Sequence, residues 1–139
     1  MAKPRHDEKA LATWSIDQIR KHGGVLEHPS SSRLWVEYAL PEPNQIDAFG
    51  GWTLVVSQWW WGHKAQKNTR LYICGVAAAE LPPIPFKIGS AEFVIASSRR
   101  GGKAAGVRWC SEKEREQTPP LFAQWLVDVA KLCSVEALV

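Results

Sequence analysis

FGGWTLVVSQWWWGHKAQKNTRLYICGV, residues 49–76, is the stretch from which the rest of the chain is read. Trp52, Leu54 and Val56 alternate with Thr53, Val55 and Ser57, the period of a half-buried strand. Leu71, Tyr72, Ile73 and Cys74 form a compact apolar run closed by Gly75, which predicts a second strand. Between Trp61 and Leu71 stand His63, Lys64, Gln66, Lys67, Asn68, Thr69 and Arg70, all donors or cations with no carboxylate among them. A loop of that chemistry suits an anionic or acceptor-rich partner, and nucleic acid is the leading candidate.

The length of 139 residues fits one domain with a core of its own, expected over residues 7–139 after a disordered tail at 1–6. A formal charge of +3 is only mildly basic, so its placement matters more than its sum. Cations gather over 64–70 and again over 99–108, where Arg99, Arg100 and Lys103 lie in a glycine-rich stretch. Acids gather at Glu112, Glu114 and Glu116, leaving two basic patches that one partner can meet. With those cations, His63, Lys64, Lys67, Arg99, Arg100 and Lys103 are the candidate nucleic-acid contacts. Eight tryptophans offer either packing or stacking platforms for bases, and Trp59, Trp60 and Trp61 are also candidate anchors for a protein partner.

Cys74, Cys110 and Cys133 are odd in number and widely spaced, which argues against a disulfide framework and for a reducing compartment. His6, His22, His28 and His63 show no metal-ligand spacing, so neither a metal nor a cofactor is expected. The N-terminus has no apolar stretch of signal type, and no run has the length of a membrane span. A cytoplasmic protein that avoids membranes is the expectation.

In chain order, Leu11, Ala12, Trp14, Ile16 and Ile19 predict a helix from Asp7 to His22 with one apolar side, stopped by Gly23-Gly24. Val25 to Pro29 predicts a short strand. Ser30, Ser31 and Ser32 are expected to cap a second helix running through Leu40, with Leu34, Trp35 and Tyr38 inward. Residues 41–51 and 77–86 read as loops, Ala91–Ser97 as a strand, and 97–106 as a glycine-rich loop. Thr118-Pro119-Pro120 opens the last helix, whose Phe122, Trp125, Leu126, Val129 and Leu132 recur at helical spacing. The class is α/β, a small layered sheet with flanking helices.

Few chemical motifs are present. Glu27-His28 ends a strand, where open α/β sheets bind ligands, and is placed for hydrogen bonding or proton transfer. Cys110, after Arg108-Trp109, is the one candidate for a reactive thiol. There is no Walker loop, no GxGxxG turn after a strand and no recognisable Ser/His/Asp spacing.

GGVLEHP, SSRLW, the GGW strand, WGHKAQKNTRLYICG and TPPLFAQWLVDVA together resemble a group of phage and prophage proteins, themselves similar to the latter half of cytosine-C5 DNA methyltransferases. The resemblance implies a truncated Rossmann-like domain in which Glu27 holds a target base. Gln66, Asn68 and Arg70 stand where those enzymes have Gln-x-Arg-x-Arg, and with Glu27 and His28 they make the implied base pocket. Asn68 replaces the arginine that contacts the base. No cysteine follows a proline and no cofactor-binding glycine turn is present, so catalysis by this chain alone is not expected. A binding role follows, toward nucleic acid or a protein, as a lone domain, a homodimer or one half of a split methyltransferase. The alternative is a phage inhibitor of host defence, anti-CRISPR or anti-restriction, acting by protein contact. An independent enzyme using Glu27, His28 and His63 ranks last.

Overall fold

The structure, a computed structural model, describes residues 5–95 and 108–133, with side chains from residue 10 onward. Its centre is the expected hairpin, β2 (Trp52–Ser57) and β3 (Asn68–Cys74), paired antiparallel with Leu54 opposite Leu71. β1 (Gly24–Pro29) joins the far side of β3, also antiparallel, with Val25 opposite Ile73. The order is therefore β1-β3-β2, and the strand made last lies in the middle. Leu71, Tyr72 and Ile73 are inaccessible to solvent, which explains why β3 reads as a continuous apolar run. The resemblance suggested half of a parallel sheet, whereas every pairing in this sheet is antiparallel.

The alternation of the strands divides two helical layers. Leu71, Ile73 and Val56 face α4 (Pro120–Cys133), which buries Phe122, Trp125, Val129 and Cys133 against them. Tyr72 and Cys74 face the other way, toward Ile16 and Ile19 of α1 (Arg5–His22) and Leu34 and Trp35 of α2 (Leu34–Glu37). A small mixed α/β arrangement results, a three-stranded sheet between helices.

Several sequence expectations need correction. α1 takes in Arg5 and His6, assigned above to the tail, while residues 1–4 lie outside the described part. Leu11 and Trp14 are exposed, not inward. At about 100° per residue Trp14 falls on the opposite side of the helix from Ile16 and Ile19. α2 is a single turn that stops well short of Leu40, because Ala39 takes a φ of +49° and Pro41 follows. Ser32 Oγ does accept the Leu34 amide, at 3.2 Å. Of the strand expected over 91–97, the described residues form β4 (Phe93–Val94), paired in parallel with β5 (Arg108–Trp109), while 96 and 97 lie outside the described part. Leu132 is exposed, but α4 otherwise buries the expected face.

The two ends of the layer structure meet at glycines. Gly23 sits at a φ of +82° and donates its amide to Ile19 O (2.9 Å), ending α1. A Cβ on Gly23 would lie 2.2 Å from Cys133 O, and one on Gly75 2.6 Å from the same atom. The end of α4 thus rests on backbone at the start of β1 and the end of β3. On the α1 side, the buried Tyr72 hydroxyl donates to Asp47 Oδ2 (2.5 Å) and accepts from Arg20 Nε (3.2 Å). Burial, and then that bond to Asp47, push its pKa upward.

Candidate ligand cleft and basic edge

The tryptophan run is shaped by the turn that follows β2. A 3-10 turn over Gln58–Trp61 ends at Gly62, and His63 N–H returns to Gln58 O at 3.1 Å. Gln58 N–H bonds Lys67 O (3.0 Å), and its side chain donates to Thr69 Oγ1 (2.9 Å), so both ends of the loop are tied. Three successive residues on a 3-10 turn point three ways. Trp61 is buried, its ring centroid 4.8 Å from Phe122 and 5.1 Å from Trp125, which removes it from the candidate interface anchors. Trp60 is half-buried and meets Phe86 edge-on at 4.8 Å. Trp59 is half-buried under the Lys87 ammonium, 5.4 Å from its ring centroid.

Next to Trp61 lies an open cleft of about 620 Å³, between the His63-Lys64 turn and the segment from Glu114 to Leu121. His63 forms part of its wall yet is only 5% exposed. Its Nδ1 lies 3.0 Å from the Ala65 amide nitrogen and 3.1 Å from the Ala65 carbonyl oxygen, accepting from the one in one tautomer and donating to the other in the other. Nε2 has no partner among the protein atoms. A buried polar atom left without a hydrogen bond costs about 1–3 kcal/mol.

Lys64 Nζ donates to Glu114 Oε2 at the cleft rim. Glu114 is also the reciprocal partner of Ser111 in the capping box that opens α3 (Glu112–Glu116). The Lys64 hydrogen bond first, and then those from Ser111, hold the Glu114 carboxyl down at about 2, and the same contact raises the Lys64 pKa. At the far wall, Pro119 precedes α4 and Pro120 begins it, and neither has an amide hydrogen. Its first backbone bond is Ala123 N–H to Pro119 O, so the amides of Leu121 and Phe122 precede the helical ladder.

The basic turn and Arg108, the last cation of the second basic stretch, flank the same short strand, β4. Ala65 bridges Phe93, Lys64 Nζ stands 5.1 Å from the Phe93 ring centroid, and Gln66 Nε2 reaches Gly89 O at 3.4 Å. β5 lies against β4, with Cys110 N–H on Val94 O (2.9 Å) and Arg108 opposite Phe93, the residue whose ring Lys64 meets. Arg99, Arg100 and Lys103 lie outside the described residues. Arg108 contacts Glu92 at 3.8 Å, a highly exposed pair.

The residues of the implied base pocket do not converge. Glu27 pairs with Leu71 and His28 with Arg70, and adjacent residues of a strand face opposite sides. Glu27 therefore belongs to the α4 face, while His28, Asn68 and Arg70 belong to the α1 and α2 face. Arg70 lies 3.7 Å from Glu42 and 5.8 Å from the Trp35 ring centroid. Cys110 is half-buried and its pKa is raised by burial and then by Glu114, the opposite of an activated thiolate. Among the described residues, no group of three or more His, Cys, Asp or Glu side chains is placed to hold a metal ion, and no helix is long and apolar enough to cross a membrane.

Sequence reading singled out His63 and Lys64 but missed the opposite wall. Gln117, Thr118 and the two prolines read only as the start of a helix, and Glu114 as a solvated acid. Nothing in the spacing joins positions 64 and 114 until β4 and β5 draw the intervening chain back. No protein-family model, no curated protein and no solved structure matches the chain.

Proposed function

We propose that this chain is a non-catalytic binding domain for nucleic acid, engaging a strand along the edge formed by residues 63–67 and β4–β5. The observation that carries it is that the basic turn and Arg108 flank one short strand, β4. Lys64 and Arg108 are held there only in exposed pairs with Glu114 and Glu92, and exposed pairs are weak enough to exchange for phosphate. The sequence likeness to phage proteins and to the latter half of C5 methyltransferases fits a domain working in a bacterial cytoplasm, alone or beside a complementary half. The register parts Glu27 from Arg70, so the base grip that this likeness implies has no role in the proposal.

Fluorescence anisotropy of a labelled single strand in rising salt tests it. Affinity falls steeply with salt, and Lys67→Ala combined with Arg108→Ala makes the log–log slope shallower by about 1.4, two phosphate contacts at about 0.7 each. A salt-independent affinity, or an unchanged slope in the folded double variant, overturns the proposal.

A second reading rests on a different observation. Phe86 and Ile88 are exposed beside the half-buried Trp59 and Trp60, an aromatic cluster suited to anchoring a protein partner, as in an inhibitor of host defence. It requires a host protein whose capture survives high salt and is lost with Phe86→Ser. Capture unaffected by that change excludes it.

A further inference from the structure

We infer that the exposed ring of Phe86 is a stacking platform for a base of a single nucleic-acid strand, with Lys87 on the neighbouring phosphate. The inference rests on the nucleic-acid reading above and extends its basic edge by one step. Phe86 is 68% exposed, yet it is firmly placed. The strap that carries it is fixed from below: Leu81 and Ile84 pack against the core beneath α4, and Pro82 O accepts Trp125 Nε1–H at 3.2 Å. Phe86 N–H then turns back to Ile84 O at 2.9 Å around Pro85, a three-residue turn that leaves the ring in solvent. Trp60 supports it from one side, the two rings meeting edge-on at 4.8 Å. An aromatic ring held in this way has little freedom left to lose when a flat partner lies on it.

Charge selects the partner. Residues 48–79 and 81–91, the two segments that build this surface, contain no carboxylate. Lys87 Nζ stands 5.4 Å from the Trp59 ring centroid, and among the described residues neither Lys87 nor Lys67 has a carboxylate within ion-pair distance. A polyanion that carries flat rings uses both features, the cations for its backbone and the aromatic face for a base, which is how single strands are held without reading their sequence. The strap is also continuous with the basic edge. Gln66 Nε2 reaches Gly89 O at 3.4 Å, a Cβ on Gly89 would lie 4.0 Å from Trp59, and the chain runs on from there to Phe93 of β4. A strand lying along residues 63–67 therefore reaches Phe86 without leaving the cationic surface.

The test compares two labelled strands of equal length, one ordinary and one abasic at every internal position, so that phosphates are kept and bases removed. The full chain binds the ordinary strand about tenfold more tightly, the low end of what stacking one base contributes. Phe86→Ala removes that preference and Phe86→Tyr, which keeps the ring, retains it; the position is exposed, so neither change disturbs the core. Phe86→Ala also leaves the salt slope for the ordinary strand unchanged, because a stacked base releases no counterions, whereas Lys87→Ala makes it shallower by about 0.7. Equal affinity of the wild type for both strands overturns the inference while leaving the nucleic-acid reading standing, as does a preference that survives Phe86→Ala. An unchanged slope in Lys87→Ala overturns the phosphate contact. Binding of neither strand overturns both readings, and the aromatic cluster then belongs to a protein partner.

Discussion

Gly23→Ala tests the claim that the last helix rests directly on backbone. Two costs are predicted. Gly23 has a φ of +82°, and placing an L residue in that region costs about 1–2 kcal/mol. The new Cβ also falls 2.2 Å from Cys133 O, where ordinary contact begins at 3.4 Å, so the end of α4 must retreat by about 1 Å. Moving packed backbone that carries Val129 and Cys133 brings the sum to at least about 3 kcal/mol. For a chain of this size each kcal/mol is worth about 3–5 °C, so Tm drops by at least about 10 °C. Gly50→Ala is the control, because Gly50 shares the positive φ, at +76°, but a Cβ there meets nothing within 4 Å. It carries only the backbone cost. Thermal unfolding followed by tryptophan fluorescence reads both, and Tm values for the two variants within 2 °C of one another would refute the contact.

Tyr72→Phe removes a hydroxyl that joins Asp47 to Arg20, and leaves both charges less satisfied; a loss of about 1–3 kcal/mol in urea unfolding is expected, with no effect meaning that the bond is not made. Phe122→Ala empties the centre of the α4 layer and costs about 3–5 kcal/mol, measured the same way. Glu114 supplies a pH dependence. Its folded pKa of about 2 lies below the ordinary 4.5, so its contribution is complete above pH 4.5 and disappears as pH falls toward 2. The Tm gap between wild type and Glu114→Gln therefore narrows across that window, and a gap constant from pH 6 to 2 contradicts the Lys64 contact.

The parts of the fold legible in the sequence are those set by local rules. The hairpin of β2 and β3 announced itself by alternation and a bounded apolar run, and α4 by Thr118-Pro119-Pro120 followed by a 3.6-residue period. What escaped was set by pairing. The register that puts Glu27 and Arg70 on opposite faces depends on which residue of β1 meets which of β3, and a shift by one would have reversed it. In the same way Trp59, Trp60 and Trp61 look equivalent in sequence, and only the tight turn beneath them separates a core residue from two surface ones. The cleft was half legible, because its turn is chemically conspicuous while its opposite wall is made of ordinary helix-start residues.

The contact between Cys133 and the glycines at 23 and 75 has a consequence for how the chain is made. β3 can pair with β2 as soon as both have emerged from the ribosome, and β1 is already waiting. The helix over their other face is synthesised well after β3, so at roughly 5–20 residues per second the nascent chain spends several seconds with Leu71 and Ile73 uncovered. A ribosome that stalls before residue 133 leaves a half-closed intermediate, and quality-control proteases should find that species first.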